Sequence, residues 1–199
     1  MPDLYPDFAS LARALREGAD YAIRARPRDA AFAVAAPHGG GIEPGTSELA
    51  EAIAGERHSF YAFEGVRVRG NAELHITSTR FDEPRAVELV TRATTVIVVH
   101  GEASDGEGVF IGGRDHGLGG RLALALRSAG FRAGPHDDPA LHGTDPANLC
   151  NRGTSGAGIQ LEISRVTRAS LFASLTRAGR RERRPRFDAL VEAIRGVLE

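Results

Sequence analysis

Apolar positions along the chain switch repeatedly between helical and strand periods. Over Asp7–Glu17, Phe8, Leu11, Ala12 and Leu15 fall at helical spacing on one side. The Ala31–Pro37 run lacks polar residues and predicts a buried strand. Glu43–Gly55 predicts a helix through Leu49, Ala50, Ile53 and Ala54, with Thr46 and Ser47 as N-capping candidates. His58–Glu64 is aromatic and strand-like. Glu73–Ser78 alternates, with Leu74 and Ile76 on one face and His75 and Thr77 on the other, which predicts a further strand. Glu83–Ala93 predicts a helix after Asp82, and Thr94–Val99 is the β-branched run of a strand buried on both faces. Val109–Gly113 and Ile159–Ile163 predict two more strands. Gly120–Ala129, Arg165–Thr176 and Phe187–Leu198 predict three more helices, and Pro135–Asn151 a long loop. Strands alternating with helices predict an α/β fold: a single domain whose mixed, partly parallel open sheet is flanked by helices.

Composition narrows the function classes. The 199 residues are 42% hydrophobic and 26% charged, as in a soluble globular protein long enough to bury a real core. The net charge of −1 gives no global case for a nucleic-acid or membrane partner. All 25 basic residues are arginine, a compositional bias with no functional reading. A single cysteine, Cys150, excludes an internal disulfide framework and fits a reducing compartment. The first residues hold early acids and no apolar core of signal-peptide length, and no apolar run approaches the ~20 residues of a membrane helix. These features predict a cytoplasmic protein with no membrane partner.

Chemistry concentrates where strands end. The first strand stops at His38, passes through Gly39, Gly40 and Gly41, and presents Glu43. Such a loop permits close backbone approach to a ligand. The Thr94–Val99 strand ends at His100. In open α/β sheets ligands gather beyond the carboxyl ends of strands. Two imidazoles and a carboxylate are a ligand set for a catalytic zinc, whose further position is left to water. Near the end of the Ile159–Ile163 strand, Glu162 sits between Leu161 and Ile163, where an unpartnered charge is costly. Beside an activated water it is a general base. The competing readings are a solvated histidine at each strand end and a glutamate on a polar strand face.

The blocks APHGGGIEPGTSELA, SFYAFEG, ELHITSTRFDEP, VHG, FIGGRD, NLCNRG and QLEIS, in this order, resemble the poly-γ-glutamate hydrolase family, whose bacterial members are often labelled phage-derived. The resemblance runs from about 31 to 168. It implies a zinc hydrolase of γ-glutamyl amide bonds with a metallocarboxypeptidase-like core, one ion held by His38, Glu43 and His100, and Glu162 activating water. The five-residue gap between His38 and Glu43 departs from the three-residue gap of metallocarboxypeptidases. On this reading the domain is 1–199, with a helical, Arg-rich extension over 169–199 outside the shared pattern.

Asn151-Arg152 resembles the Asn-Arg pair with which metallocarboxypeptidases hold a substrate carboxylate, a bidentate task suited to arginine. An exposed turn with an ordinary salt bridge is the other reading. His75 is a candidate substrate or supporting residue, or a hydrogen-bonded core histidine. Cys150 is not expected to be a nucleophile. His58, His116, His136 and His142 are expected to be solvated. Arg177–Arg186 carries six arginines and one glutamate, about +5, leaving −6 elsewhere. It is read as a solvated loop, with a nucleic-acid footprint or attraction of a polyanionic substrate as alternatives. The expected function is thus a monomeric zinc amidohydrolase acting on a glutamyl polymer or peptide. An N-acyl-glutamate amidohydrolase and a nucleic-acid-associated phage replication module are its rivals.

Overall fold

The computed structural model describes residues 3–199. Seven strands, β1 (Tyr21–Arg26), β2 (Phe32–Gly40), β3 (Ser59–Gly65), β4 (Thr95–Glu102), β5 (Val109–Gly113), β6 (Ala133–Gly134) and β7 (Ile159–Ser164), form one sheet in the order β1-β3-β2-β4-β7-β5-β6. The central strands β3, β2, β4 and β7 run parallel. Antiparallel β1 closes one side, and β5, antiparallel to β7, carries β6 at the other. The mixed, partly parallel sheet is the one predicted from the alternating pattern.

Six helices cover it: α1 (Phe8–Ala14), α2 (Thr46–Ala54), α3 (Pro84–Arg92), α4 (His116–Ser128), α5 (Arg165–Leu171) and α6 (Pro185–Leu198). The period-2 geometry of a strand splits the core in two. On β4, Ile97 and Val99 join a cluster with residues of α2, α4 and α6, while Val96 and Val98 join one with α1 and α3. Burial on both faces explains why this strand reads as a continuous apolar run. Residue 100 continues the Val96–Val98 face. On β7, Ile159, Leu161 and Ile163 face the first cluster, which turns Gln160 and Glu162 to the side of His100. Among the described residues no helix is long and apolar enough to cross a membrane.

Several local expectations differ from the structure. Leu74 and Ile76 are buried as predicted, but Glu73–Ser78 is not a strand. Asn71–Leu74 is a short 3-10 turn, and the following backbone serves side chains instead of a ladder. The N-cap of α2 is Gly45, at φ 102°, with no side-chain cap; Thr46 Oγ1 instead donates to the carbonyls of Glu43 and His38. Helix α3 begins at Pro84, one residue later than predicted, with Glu83 as its N-cap accepting from the Ala86 N–H. Helix α5 stops at Leu171 because Phe172 turns inward onto Phe187, with ring centroids 5.3 Å apart. Strand β1 was not predicted.

Candidate functional site

Strands β2, β4 and β7 bring His38, His100 and Glu162 to one edge of the sheet. His100 and Glu162 are register partners on adjacent parallel strands, so their side chains stand side by side. Glu43 returns to the strand ends by a tight turn in which its N–H donates to the His38 carbonyl at 2.9 Å. The glycines that make this turn have neighbours that leave no room for a side chain. A Cβ on Gly39 would lie 2.9 Å from Ser47 Cβ, and one on Gly40 would lie 2.5 Å from the Gly65 carbonyl. Close approach of chain to chain, not of chain to ligand, accounts for these two.

The hydrogen bonds around His38 and His75 fix their tautomers. His38 Nε2 lies 2.8 Å from the Ile76 carbonyl, which only accepts, so Nε2 carries the proton and a neutral ring has a bare Nδ1. That Nδ1 lies 3.0 Å from Glu43 Oε1 and 3.1 Å from His100 Nδ1. His100 Nε2 is 3.0 Å from Ser78 Oγ, and His100 Nδ1 is 3.7 Å from Glu43 Oε2. His75 Nδ1 meets the Asp3 carboxylate at 2.6 Å, which directs its Nε2 to within 3.9 Å of Glu43 Oε1. Asp3 also accepts from the Thr77 N–H and from Arg80, tying the N-terminal segment to the site.

Nδ1 of His38 and of His100, Nε2 of His75 and the Glu43 carboxylate thus face one another, an arrangement that is repulsive without a cation between them. A proton or a metal ion satisfies it. Donor separations of 3.0–3.9 Å bracket the about 3.3–3.5 Å edge of a tetrahedron with zinc–ligand bonds of ~2.0–2.1 Å. One ligand atom each from His38, Glu43 and His75 lies within 4.8 Å of the others. The donor set thus fits a zinc ion.

The surrounding field favours positive charge. Burial acts to raise the Glu43 carboxyl, yet the charge of His38 and hydrogen bonds from His100 and His38 hold it well below the usual carboxylate range. Burial acts to lower the His100 imidazole, but Glu162 and Glu43 outweigh it and raise its pKa. His75, with burial and His38 opposing its charge, is held lower, which suits a neutral ring with a free Nε2. Glu162 is pushed up to about 7, first by burial and then by Glu43 and Glu102 against the pull of His100. Gln160 Nε2 donates to Glu162 Oε1 at 3.0 Å, and Asn148 Nδ2 donates to Gln160 Oε1 at 2.8 Å, which orients the carboxyl.

Asn151 and Arg152 have another occupation than the expected carboxylate fork. Arg152 donates to the carbonyls of Ala147, Phe81 and Thr79 at 2.8–3.0 Å. Asn151 donates to those of Gly143 and Asp145 and accepts from the Gly158 N–H. Buried turns have carbonyls that need donors, and this pair supplies them to the 143–147 segment and, through Arg152, to Thr79 and Phe81. Neither the open fork nor the exposed salt bridge read from sequence is present. The Cys150 thiol is buried and pushed up to about 12 by that burial, as an inert thiol would be. Sequence reasoning missed Asp3, whose partner lies 72 residues away. It also missed Arg168, which is buried against Gly101 and donates to the carbonyls of Ile163, Pro44 and Glu102.

A cleft of about 500 Å³ opens beside the cluster, lined by Glu43, Gly101, Arg165, Arg168 and Thr176 among others. A single-domain mixed α/β sheet with polar donors gathered at the carboxyl edge of its parallel strands has its ligand site where open α/β folds place theirs. The chain belongs to the poly-γ-glutamate hydrolase family, enzymes of γ-glutamyl amide bonds, whose model matches residues 5–193. That match extends on both sides of the 31–168 resemblance. The SPbeta prophage-derived UPF0714 protein YoqZ of Bacillus subtilis (strain 168) is 41% identical over 89% of the chain, which spans 65% of that protein. UPF0714 protein YmaC of the same organism is 37% identical over 100% of the chain and 85% of its own length. Among solved structures, a bacteriophage poly-γ-glutamate hydrolase superposes with a TM-score of 0.95 at 34% identity, covering 99% of this chain and 97% of that one. A zinc-free apo form of YndL gives 0.94 at 36% identity, with coverages of 99% and 98%.

Proposed function

We propose that the protein is a zinc-dependent hydrolase of γ-glutamyl amide bonds in poly-γ-glutamate or γ-glutamyl peptides. The observation that carries this reading is the convergence of the His38 and His100 Nδ1 atoms and the Glu43 carboxylate next to buried Glu162. The family and the zinc-free description of YndL support the choice of substrate and metal. His38, Glu43 and His100 hold one ion per chain, with His75, oriented by Asp3, as a fourth donor. When bound, zinc lowers the pKa of water at the site towards ~7 and polarises the scissile carbonyl.

The chain's own groups do the rest. Glu162, with a pKa of about 7, takes the proton of the attacking water and returns it to the leaving amine. Gln160 holds the carboxyl through Oε1. Ile76 and Ser78 orient the His38 and His100 rings, a task worth ~10–100-fold in metal affinity in comparable sites. Every group named comes from one chain, so a monomer is sufficient to carry the site. A buried reduced Cys150 accords with a cytoplasmic location.

Two tests separate the parts of this reading. Poly-γ-glutamate is cleaved and poly-α-glutamate is not; cleavage of both at similar kcat/KM removes the γ-glutamyl assignment. Asp3→Asn lowers zinc affinity roughly 10–100-fold if His75 is a ligand. Unchanged affinity with a raised KM returns His75 to the role of a substrate contact.

A further inference from the structure

The arginine run Arg177–Arg186 is left over from the site, and its packing gives it a direction. Arg180 pairs with Glu48 at 2.6 Å and Arg186 with Glu107 at 2.9 Å. Among the described residues Arg177, Arg181, Arg183 and Arg184 have no carboxylate within ion-pair distance, and all four are exposed. Arg177 donates to the Val66 carbonyl at 2.9 Å, which pins the run across the end of β3. There Arg177, Arg181 and Arg183 line a cleft of about 490 Å³ that also reaches Gly40. Neighbouring residues of two segments are divided between this cleft and the one beside Glu43. Thr176 lines one and Arg177 the other, and Gly40 and Ile42 are divided in the same way.

We infer that the two clefts form one track, in which Arg181 and Arg183 bind α-carboxylates of a poly-γ-glutamate chain several residues away from the bond being cleaved. The inference rests on the γ-glutamyl reading of the site. A γ-linked polymer uses each side-chain carboxyl in its backbone and leaves a free α-carboxylate on every residue. Such a ligand needs guanidinium groups repeated along a groove, and arginine binds carboxylate in a bidentate fork. A single strand of nucleic acid calls for stacking platforms as well as charge. The residues lining the arginine cleft include no aromatic ring, and its carboxylates are already paired, Glu48 with Arg180 and Glu64 with Arg24.

The test compares wild type with R181Q/R183Q and with R114Q/R121Q. Arg114 and Arg121 are exposed around the start of α4 and line neither cleft, so the control removes equal charge elsewhere. On long poly-γ-glutamate, R181Q/R183Q raises KM about tenfold with kcat unchanged, as two partly exposed ion pairs allow. The effect shrinks as salt rises. On γ-linked triglutamate the loss stays under about twofold, and the control double variant matches wild type on both. Equal losses on polymer and trimer, or none on either, overturn the track. Failure of the γ-glutamyl reading is a separate result: wild type then cleaves neither substrate. Binding of labelled poly-γ-glutamate to zinc-loaded protein decides that case. Weaker binding by R181Q/R183Q supports the track, whereas variant-insensitive binding, or preference for single-stranded DNA of matched charge, overturns it.

Discussion

Glu162→Gln is expected to lose on the order of 10²–10⁴ in kcat while keeping its zinc and its fold, the usual worth of a general base. The substitution is close to isosteric, and Gln160 Nε2 still meets an oxygen if the new amide places its carbonyl at Oε1. What disappears is the ability to take a proton. The environment explains why this position is suited to that task. Glu162 lies within β7 beside His100, with Glu43 and Glu102 opposing its charge and burial raising it to about 7. A buried carboxyl whose burial opposes its charge serves both halves of the reaction, accepting from water and donating to the amine. Turnover near that of wild type would mean that another group moves the proton.

His100→Ala is expected to lower zinc affinity by more than about 100-fold, beyond the ~10–100-fold typical of losing a ligand's supporting partner. His100 Nδ1 is 3.1 Å from His38 Nδ1 and 3.7 Å from Glu43 Oε2, so its removal opens one side of the donor cluster. Glu43 Oε2 would keep only the Gly101 N–H, at 2.8 Å, on that side. The loss is read by metal content after dialysis and by titration with a competing chelator. Full occupancy in the variant would take His100 out of the donor set.

Much of this architecture was legible because the chemistry follows the strands. The Thr94–Val99 run is apolar on both faces, and such a strand has one place in an α/β sheet, the middle. Its end and the end of Ala31–Pro37 then had to lie together at the carboxyl edge, which joined His38 to His100 without any coordinate. Glu162 was visible for the same reason, as a carboxylate interrupting an apolar strand. Strand β1 was not visible, because an antiparallel edge strand leaves Arg24 and partly Arg26 to solvent and shows little apolar alternation. The Glu73–Ser78 alternation reported burial correctly and structure wrongly. Its carbonyl at Ile76 and hydroxyl at Ser78 go to the two imidazoles, and its Thr77 N–H to Asp3, so no ladder forms. The Asn151-Arg152 pair is ambiguous in sequence: it looks the same whether its guanidinium faces a substrate or, as here, one carbonyl of its own loop and two of the distant Thr79–Phe81 turn.

The central claim is that zinc held by His38, Glu43 and His100 makes this fold a γ-glutamyl hydrolase. Its most direct test is zinc per chain, by elemental analysis, followed in the same sample by poly-γ-glutamate hydrolysis before chelation, after it, and after zinc is returned. The account predicts close to one zinc per chain, hydrolysis that falls to background when the metal is stripped, and recovery on adding zinc back. Hydrolysis that continues undiminished in the stripped protein would contradict it.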